Sequence, residues 1–187
     1  IKNTFSPKDP GTLISATGGN KQKTVRGISH IPHMALVSLE GPGMVGIPGI
    51  SQKFFSVLSQ AQINVVLITQ ASSEHSITIA IASADAQKAV DVVNEAFSYE
   101  ITQGMINALI PERDMAILAL VGDQMRSHQG LSGKMFQTLG RNNVNIRVIA
   151  QGSSERNISA VIAEKDVPKA INALHETFFE AQTKQVN

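Results

Sequence analysis

The chain has 187 residues, a formal net charge of +1, 42% hydrophobic and 17% charged residues, one tyrosine, and neither tryptophan nor cysteine. That is the composition of an ordinary globular protein: it offers no basic patch or aromatic stacking surface for nucleic acid and no apolar run long enough to span a membrane. The absence of cysteine removes disulfides, thiolate metal sites and cysteine nucleophiles together, and it suits a reducing, cytoplasmic setting.

Residues 1–23 carry Pro7, Pro10, Gly11, Gly18 and Gly19 among polar side chains and read as a linker. The opening IKNTFSPKDPGTLI has no basic n-region, apolar h-region or initiator methionine, so it reads as the interior of a longer protein. Residues 24–31, TVRGISHI, alternate like a short strand, which Pro32 is expected to end by withholding a ladder donor. Residues 34–40 form a second strand. Gly41-Pro42-Gly43 then turns into an amphipathic helix from about Gly49 to Ala61, with Ile50, Phe54, Val57, Leu58 and Ala61 on one face. Residues 64–69 and 76–82 read as paired strands. Asp85 is expected to cap a further helix that turns Ala89, Val90, Val93 and Phe97 inward.

The chain then repeats itself. Sliding the sequence by 81 positions lays residues 34–97 on 115–178 without a gap, and 24 of the 64 pairs are identical, among them Gly41/Gly122, Gly49/Gly130, Lys53/Lys134 and Phe97/Phe178. In the second copy Leu131, Met135 and Leu139 face inward, Asp166 is the expected cap, Pro168 falls in the first helical turn, and Ile171, Leu174 and Phe178 follow. Two copies are too few for a solenoid, so two related modules of about 65 to 80 residues fit better. Modules that small bury only about 60% of their unfolded surface. They should need each other or a partner chain.

Each copy reads β-α-β-β-α. Residues 106–111 can supply the first module with a fourth strand. Nothing β-like follows Phe179, so residues 24–31 are expected to close the second. The implied fold is α+β, two ferredoxin-like βαββαβ units, each a four-stranded antiparallel sheet with both helices on one face. The bare face must pack on something.

Candidate sites are few. GPGMVG at residues 41–46 fits G-x-G-x-x-G between strand and helix, but no acidic residue follows before Glu74 to hold a ribose, and the second copy reads GDQMRS. This argues for a plain turn, whose helix-start amides could hold a carboxylate. The five histidines are scattered without metal-ligand spacing, so no metal is expected. No catalytic constellation is present. Ser72-Ser73-Glu74 and its copy at 153–155 suit a hairpin turn in which short polar side chains satisfy local backbone. Gln70 and Gln151 each end an apolar strand. One reading is a polar strand end in water; the other is a primary amide that both donates to and accepts from a small polar ligand. Retention of Gln-x-Ser-Ser-Glu in both copies favours the second.

With NVVLITQASSEHSI and NIRVIAQGSSERNI in place, the repeat closely resembles the paired ACT domains of bifunctional aspartokinase–homoserine dehydrogenase, over essentially the whole chain. The resemblance implies a linker from the kinase domain at 1–23, a strand at 24–31 completing the second ACT module, ACT domains at 32–112 and 113–180, and a linker towards the dehydrogenase at 181–187. It further implies that threonine binds the pair and inhibits, that Gln70 and Gln151 anchor it, and that ATP and NAD(P) serve catalytic domains outside this chain, which itself needs no cofactor. Gly41, Gly43 and Gly122 are expected to help at the carboxylate, Asn64 and Asn145 more weakly. Homo-oligomers through the ACT sheets are expected. Two alternatives stay open: a lysine-responsive sensor, and a dimerisation module that binds no effector.

Overall fold

The computed structural model describes residues 1–14, 24–70, 75–123, 125, 128–152 and 156–180. Both Ser-Ser-Glu turns, part of the first linker and all of residues 181–187 lie outside that set.

In chain order the elements are β1 (Val25–Glu40), α1 (Ile50–Gln60), β2 (Val65–Gln70), β3 (Ser76–Ala82), α2 (Ala86–Ala96), α3 (Ser98–Thr102), β4 (Glu112–Gly122), α4 (Leu131–Arg141), β5 (Ile146–Gln151), β6 (Asn157–Ala163) and α5 (Val167–His175). The strands form a single antiparallel sheet in the order β2-β3-β1-β4-β6-β5. The two modules are therefore fused through the β1–β4 ladder. The second half of β1, from Met34, pairs with β3 of the first module, while its first half pairs with β4, Val25 facing Gly122 and Ile31 facing Ile117.

Pro32 does not end this strand, contrary to the sequence expectation. The β1–β4 register shifts between Ile31 and Met34, and His33 adopts φ 57° there. A proline costs a ladder little at a bulge, where no donor is called for. The carboxylate of Glu164 accepts from the His33 backbone N–H at 3.1 Å and lies 2.9 Å from its Nδ1, which ties the bulge to the turn after β6. Asp114, 81 positions on, has the same φ of 57°. The ladder thus carries an approximate two-fold axis, across which the repeat partners Met34 and Met115 pair with each other.

Residues 106–111, the expected fourth strand of the first module, run beside β1 without building a ladder. Asn107 N–H donates to the Glu40 carbonyl at 2.8 Å, Ile106 and Leu109 are buried, and Asn94 bonds both the N–H and the carbonyl of Leu109. Asp85 and Asp166 also depart from expectation: neither makes a side-chain cap, because a one-turn 3-10 helix precedes each α-helix and moves its start upstream. Asp166 instead meets Lys169 at 3.2 Å.

Each module has its own core between sheet and helices, centred on Phe54, Leu58, Val93 and Phe97 in the first and on Met135, Leu139, Leu174 and Phe178 in the second. The helix-free faces pack on each other. Met34, Leu36, Leu67 and Ala80 join Met115, Ile117 and Val161 in a third core, and the sheet bends until its edges meet, Thr69 Oγ1 donating to the Ile149 carbonyl at 3.2 Å.

Gly41 directly follows β1 and Gly122 closes β4, each on the way into its own module's first helix. A Cβ on Gly41 would stand 2.2 Å from the Met105 carbonyl oxygen, and one on Gly122 would stand 2.2 Å from that of Thr24, again 81 positions apart. The φ of Gly41 is 163°, extended backbone open to any residue, so steric exclusion is what demands glycine. Gly41→Ala and Gly122→Ala should each cost about 1 to 3 kcal/mol of stability, the usual range for forcing a group into filled space. Gly27→Ala should cost far less, since nothing lies within 4 Å of its would-be Cβ. Urea unfolding of the three variants checks this; equal midpoints for all three would remove the steric account.

Candidate functional site

Gln70 and Gln151 end β2 and β5, the two edge strands, because the alternation that buries Leu67 on β2 runs out at a polar residue on the sheet rim. Both are exposed. The bend of the sheet brings them to one groove of about 760 Å³ between the modules, whose walls include Val66, Ile68, Ile117, Val121 and Ile149, and whose polar groups include Ser29, His30, Asn157 and Ser159. Gln70 also borders a second recess of about 400 Å³, formed by Met44, Gly46, Ile47, Pro48, Gly49, Ile50, Ser51 and Ile77 at the start of α1.

That recess follows from local sequence. Gly49 takes φ 94° and Gly130 φ 84°, the left-handed region that glycine enters at little cost, and each lets the chain turn sharply into α1 or α4. Among the described residues no side chain caps either helix, and the positive ends of both helix dipoles lie beside a strand ending in glutamine. In the second module Ser132 Oγ donates to Gln151 Oε1 at 3.2 Å. Ser51, its repeat partner, lies with Gln70 on the recess of the first. The arrangement suits a small zwitterion: helix-start amides for a carboxylate, a hydroxyl and an amide for the remaining polar groups, and apolar walls for a short side chain.

The other sequence candidates lie elsewhere. Gly41 N–H donates to the His75 carbonyl at 3.1 Å, Gly122 N–H to that of Arg156 at 3.0 Å and Gly43 N–H to that of Met105 at 2.9 Å. None of the three lines the groove or the recess, and the recurrence of Gly41 as Gly122 reflects the close backbone contact described above. Asn64 and Asn145 are exposed and precede β2 and β5, six residues from the glutamines, about 20 Å of extended strand. Ser51 and Ser132 were the positions that sequence reasoning passed over, although it had marked the helix start as a place for a carboxylate. The signal was there: Ser51/Ser132 and Gly49/Gly130 are identical across the repeat.

The ACT domain family profile matches twice, at residues 37–97 and 118–178. The chain belongs to the ACT-domain family. Among curated relatives, the bifunctional aspartokinase/homoserine dehydrogenase of Haemophilus influenzae is 36% identical over 179 residues, 96% of this chain and 22% of the relative, and a chloroplastic bifunctional enzyme of Arabidopsis thaliana is 36% identical over 188 residues, 98% and 21%. This chain spans about a fifth of the length of such relatives. Among solved structures, Clostridium acetobutylicum aspartate kinase superposes with TM-score 0.80 at 29% identity, covering 95% of this chain and 40% of that one. The regulatory subunit of aspartate kinase from Thermus flavus gives 0.71 at 27%, covering 83% and 99%. Escherichia coli aspartokinase III with lysine and aspartate, TM-score 0.68 at 22% identity, covering 92% and 38%, shares the fold.

Behind the recess of the first ACT module lies a part-buried ion pair. Lys53 Nζ, on α1, meets Glu100 Oε1, on α3, at 2.6 Å and stands 4.3 Å from the centroid of the Phe97 ring. The hydrogen bond from Lys53 holds the Glu100 carboxyl below its ordinary value of 4.5, against the opposing pull of burial. A carboxyl whose folded-state pKa lies below its unfolded one contributes stability that is complete above the unfolded value and lost as pH falls through the folded one. Glu100→Gln should therefore lower the urea midpoint near neutrality, and the difference from wild type should vanish as pH falls below 4.5. A difference undiminished at about pH 3 would place its origin in packing rather than charge.

Proposed function

We propose that this chain is the amino-acid-sensing regulatory region of an aspartate kinase, joined in the longer protein to a homoserine dehydrogenase as in the bifunctional relatives, and that L-threonine is its effector. The observation that carries the reading is the repeated juxtaposition of a strand-terminal glutamine with an uncapped helix start and its first-turn serine, Gln70 with Ser51 and Gln151 with Ser132. On this reading the kinase would use ATP and the dehydrogenase NAD(P), neither of which this region needs. Binding at the recesses would be linked reciprocally to substrate binding elsewhere.

The effector is a matter of side-chain chemistry. Lysine would carry a second ammonium into the site, which costs free energy unless an acid receives it. Among the described residues, neither the recess nor the groove is lined by an aspartate or glutamate. Threonine asks only for a hydrogen-bond partner for its hydroxyl and an apolar wall for its methyl group, and Ser51, Gln70, Ile47 and Ile77 supply these.

A homo-oligomer is the second part of the proposal. The helix-free faces already cover each other, so association falls to the sheet edges, where Val66, Ile68 and Ile149 are 42%, 52% and 44% exposed. Unpaired edge strands carrying apolar side chains are natural joining surfaces. Sedimentation should show a species larger than the monomer at micromolar concentration.

At about 100 times its dissociation constant, threonine should add about 2.7 kcal/mol, a rise in melting temperature of ~5 to 10 °C for a chain of this size. Lysine at the same concentration should add little. Gln70→Ala and Gln151→Ala should each weaken one of two binding events by roughly 10- to 150-fold, the effect of losing a hydrogen bond to a charged group. Calorimetry decides it: unaltered isotherms in both variants would return the glutamines to solvated strand ends, and a larger shift with lysine than with threonine would reverse the choice of effector.

A further inference from the structure

The recess of the first module is held from behind. The turn that brings Met44 to it sits on Met105: Gly43 N–H donates to the Met105 carbonyl at 2.9 Å, and a Cβ on Gly43 would stand 2.5 Å from the Met105 Cβ. Its rim, the first turn of α1, is tied through Lys53, whose N–H makes the opening helical bond to the Gly49 carbonyl at 2.9 Å and whose ammonium reaches Glu100. Glu100 joins the two. Its backbone carbonyl accepts from Met105 and Ile106 N–H at 2.9 and 3.3 Å, while its side chain receives Lys53. One residue thus fixes both the helix that opens the recess and the segment that leads on into β4 of the second module.

The pair is more than a surface ornament. The Lys53 and Glu100 side chains are 40% and 25% exposed, the ammonium lies over the Phe97 ring, and Glu100 Oε2 is buried with no hydrogen-bond partner among the described residues. A buried carboxylate oxygen without a donor is costly and should be retained only where the geometry it enforces matters. The second module keeps half of the device. Lys134 stands 5.0 Å from the Phe178 ring, but the same offset of 81 from Glu100 falls on Ala181, which has no carboxylate to offer.

We propose that Lys53 and Glu100 are positioning residues of the first effector site alone: they hold residues 44–51 against Gln70 and pass the state of that site to the segment entering the second module. Neither touches the ligand in this account. The inference rests on the function proposed above in placing an amino acid at the recess, but the mechanical part stands without it.

The test separates the two. Hydrogen exchange on the unliganded chain should show amides of residues 44–53 and 105–106 losing protection in Glu100→Gln, which is close to isosteric and keeps the fold, while Lys53→Arg, retaining the charge, should hold most of it. Lys134→Met should leave those amides unchanged. Calorimetry with threonine then reads each site by itself, the first in a Gln151→Ala background and the second in Gln70→Ala. Glu100→Gln should weaken the first by about 3- to 30-fold, the range for residues that modulate a site without contacting its ligand, and leave the second unmoved. Protection unchanged in Glu100→Gln overturns the proposal. So does lost protection without any change at the first site, or equal weakening of both sites, which would mark general destabilisation. If the wild-type chain binds neither threonine nor lysine, the functional reading fails, and hydrogen exchange alone decides whether the pair positions the loop.

Discussion

The β1–β4 ladder is the constraint on which the rest depends. A module of this size cannot cover both faces of its own sheet, since both helices of each copy fall on one side, and the uncovered face carries Leu36, Leu67 and Ala80 in one copy and Ile117 and Val161 in the other. Running one strand through both modules solves this locally. Because β1 is long enough to pair with β3 at one end and with β4 at the other, the two bare faces arrive opposite each other without a partner chain. At the far end of each of these strands, Gly41 after β1 and Gly122 closing β4, neighbouring backbone excludes a side chain.

This explains what the repeat conserves. Identities between copies include core residues such as Leu58/Leu139 and Phe97/Phe178, the close-contact glycines Gly41/Gly122, and the Gly–Ser–Gln set around each helix start. The first two follow from packing. The third has no packing rationale of that strength, since Gln70 and Gln151 are exposed, and a position kept against solvent invites a reading in terms of what it binds.

Much of the fold was legible in the sequence because the signals were periodic and doubled. The apolar spacing of Ile50, Phe54 and Leu58 recurs 81 positions on as Leu131, Met135 and Leu139, and the strand at 76–82 has its counterpart at 157–163, so each element was in effect observed twice. What escaped was set by tertiary context. Pro32 is a strand breaker wherever its N–H is wanted, and whether it is wanted depends on a bulge in a ladder formed with residues more than 80 positions away. The missing caps at Asp85 and Asp166 have a similar origin, for a 3-10 turn upstream is invisible to a rule that looks for a side chain at the helix boundary. At the site, sequence marked the glutamines but drew attention to Gly41 and Gly43, whose amides are spent on neighbouring carbonyls, and away from Ser51, a common residue in an ordinary helical position.

The two copies share a backbone more closely than a surface. Left-handed residues recur at equivalent places, Gln62 at φ 57° with Asn143 at 52° and Gly49 at 94° with Gly130 at 84°, so the scaffold presents two nearly superimposable frames. The sequences that fill those frames diverge: GPGMVGIPG in one helix entry and GDQMRSHQG in the other, an acid at position 100 and alanine at 181. Such a division separates two requirements that would conflict in a single module. Core positions must agree for the faces to mate about their common axis, whereas among the described residues the helix entries take no part in that shared core and can drift. Two-fold packing therefore does not force two-fold binding. A tandem pair can keep its symmetry as architecture while its two sites come to differ in affinity, and with unequal sites a regulator can respond in steps to a single ligand rather than all at once.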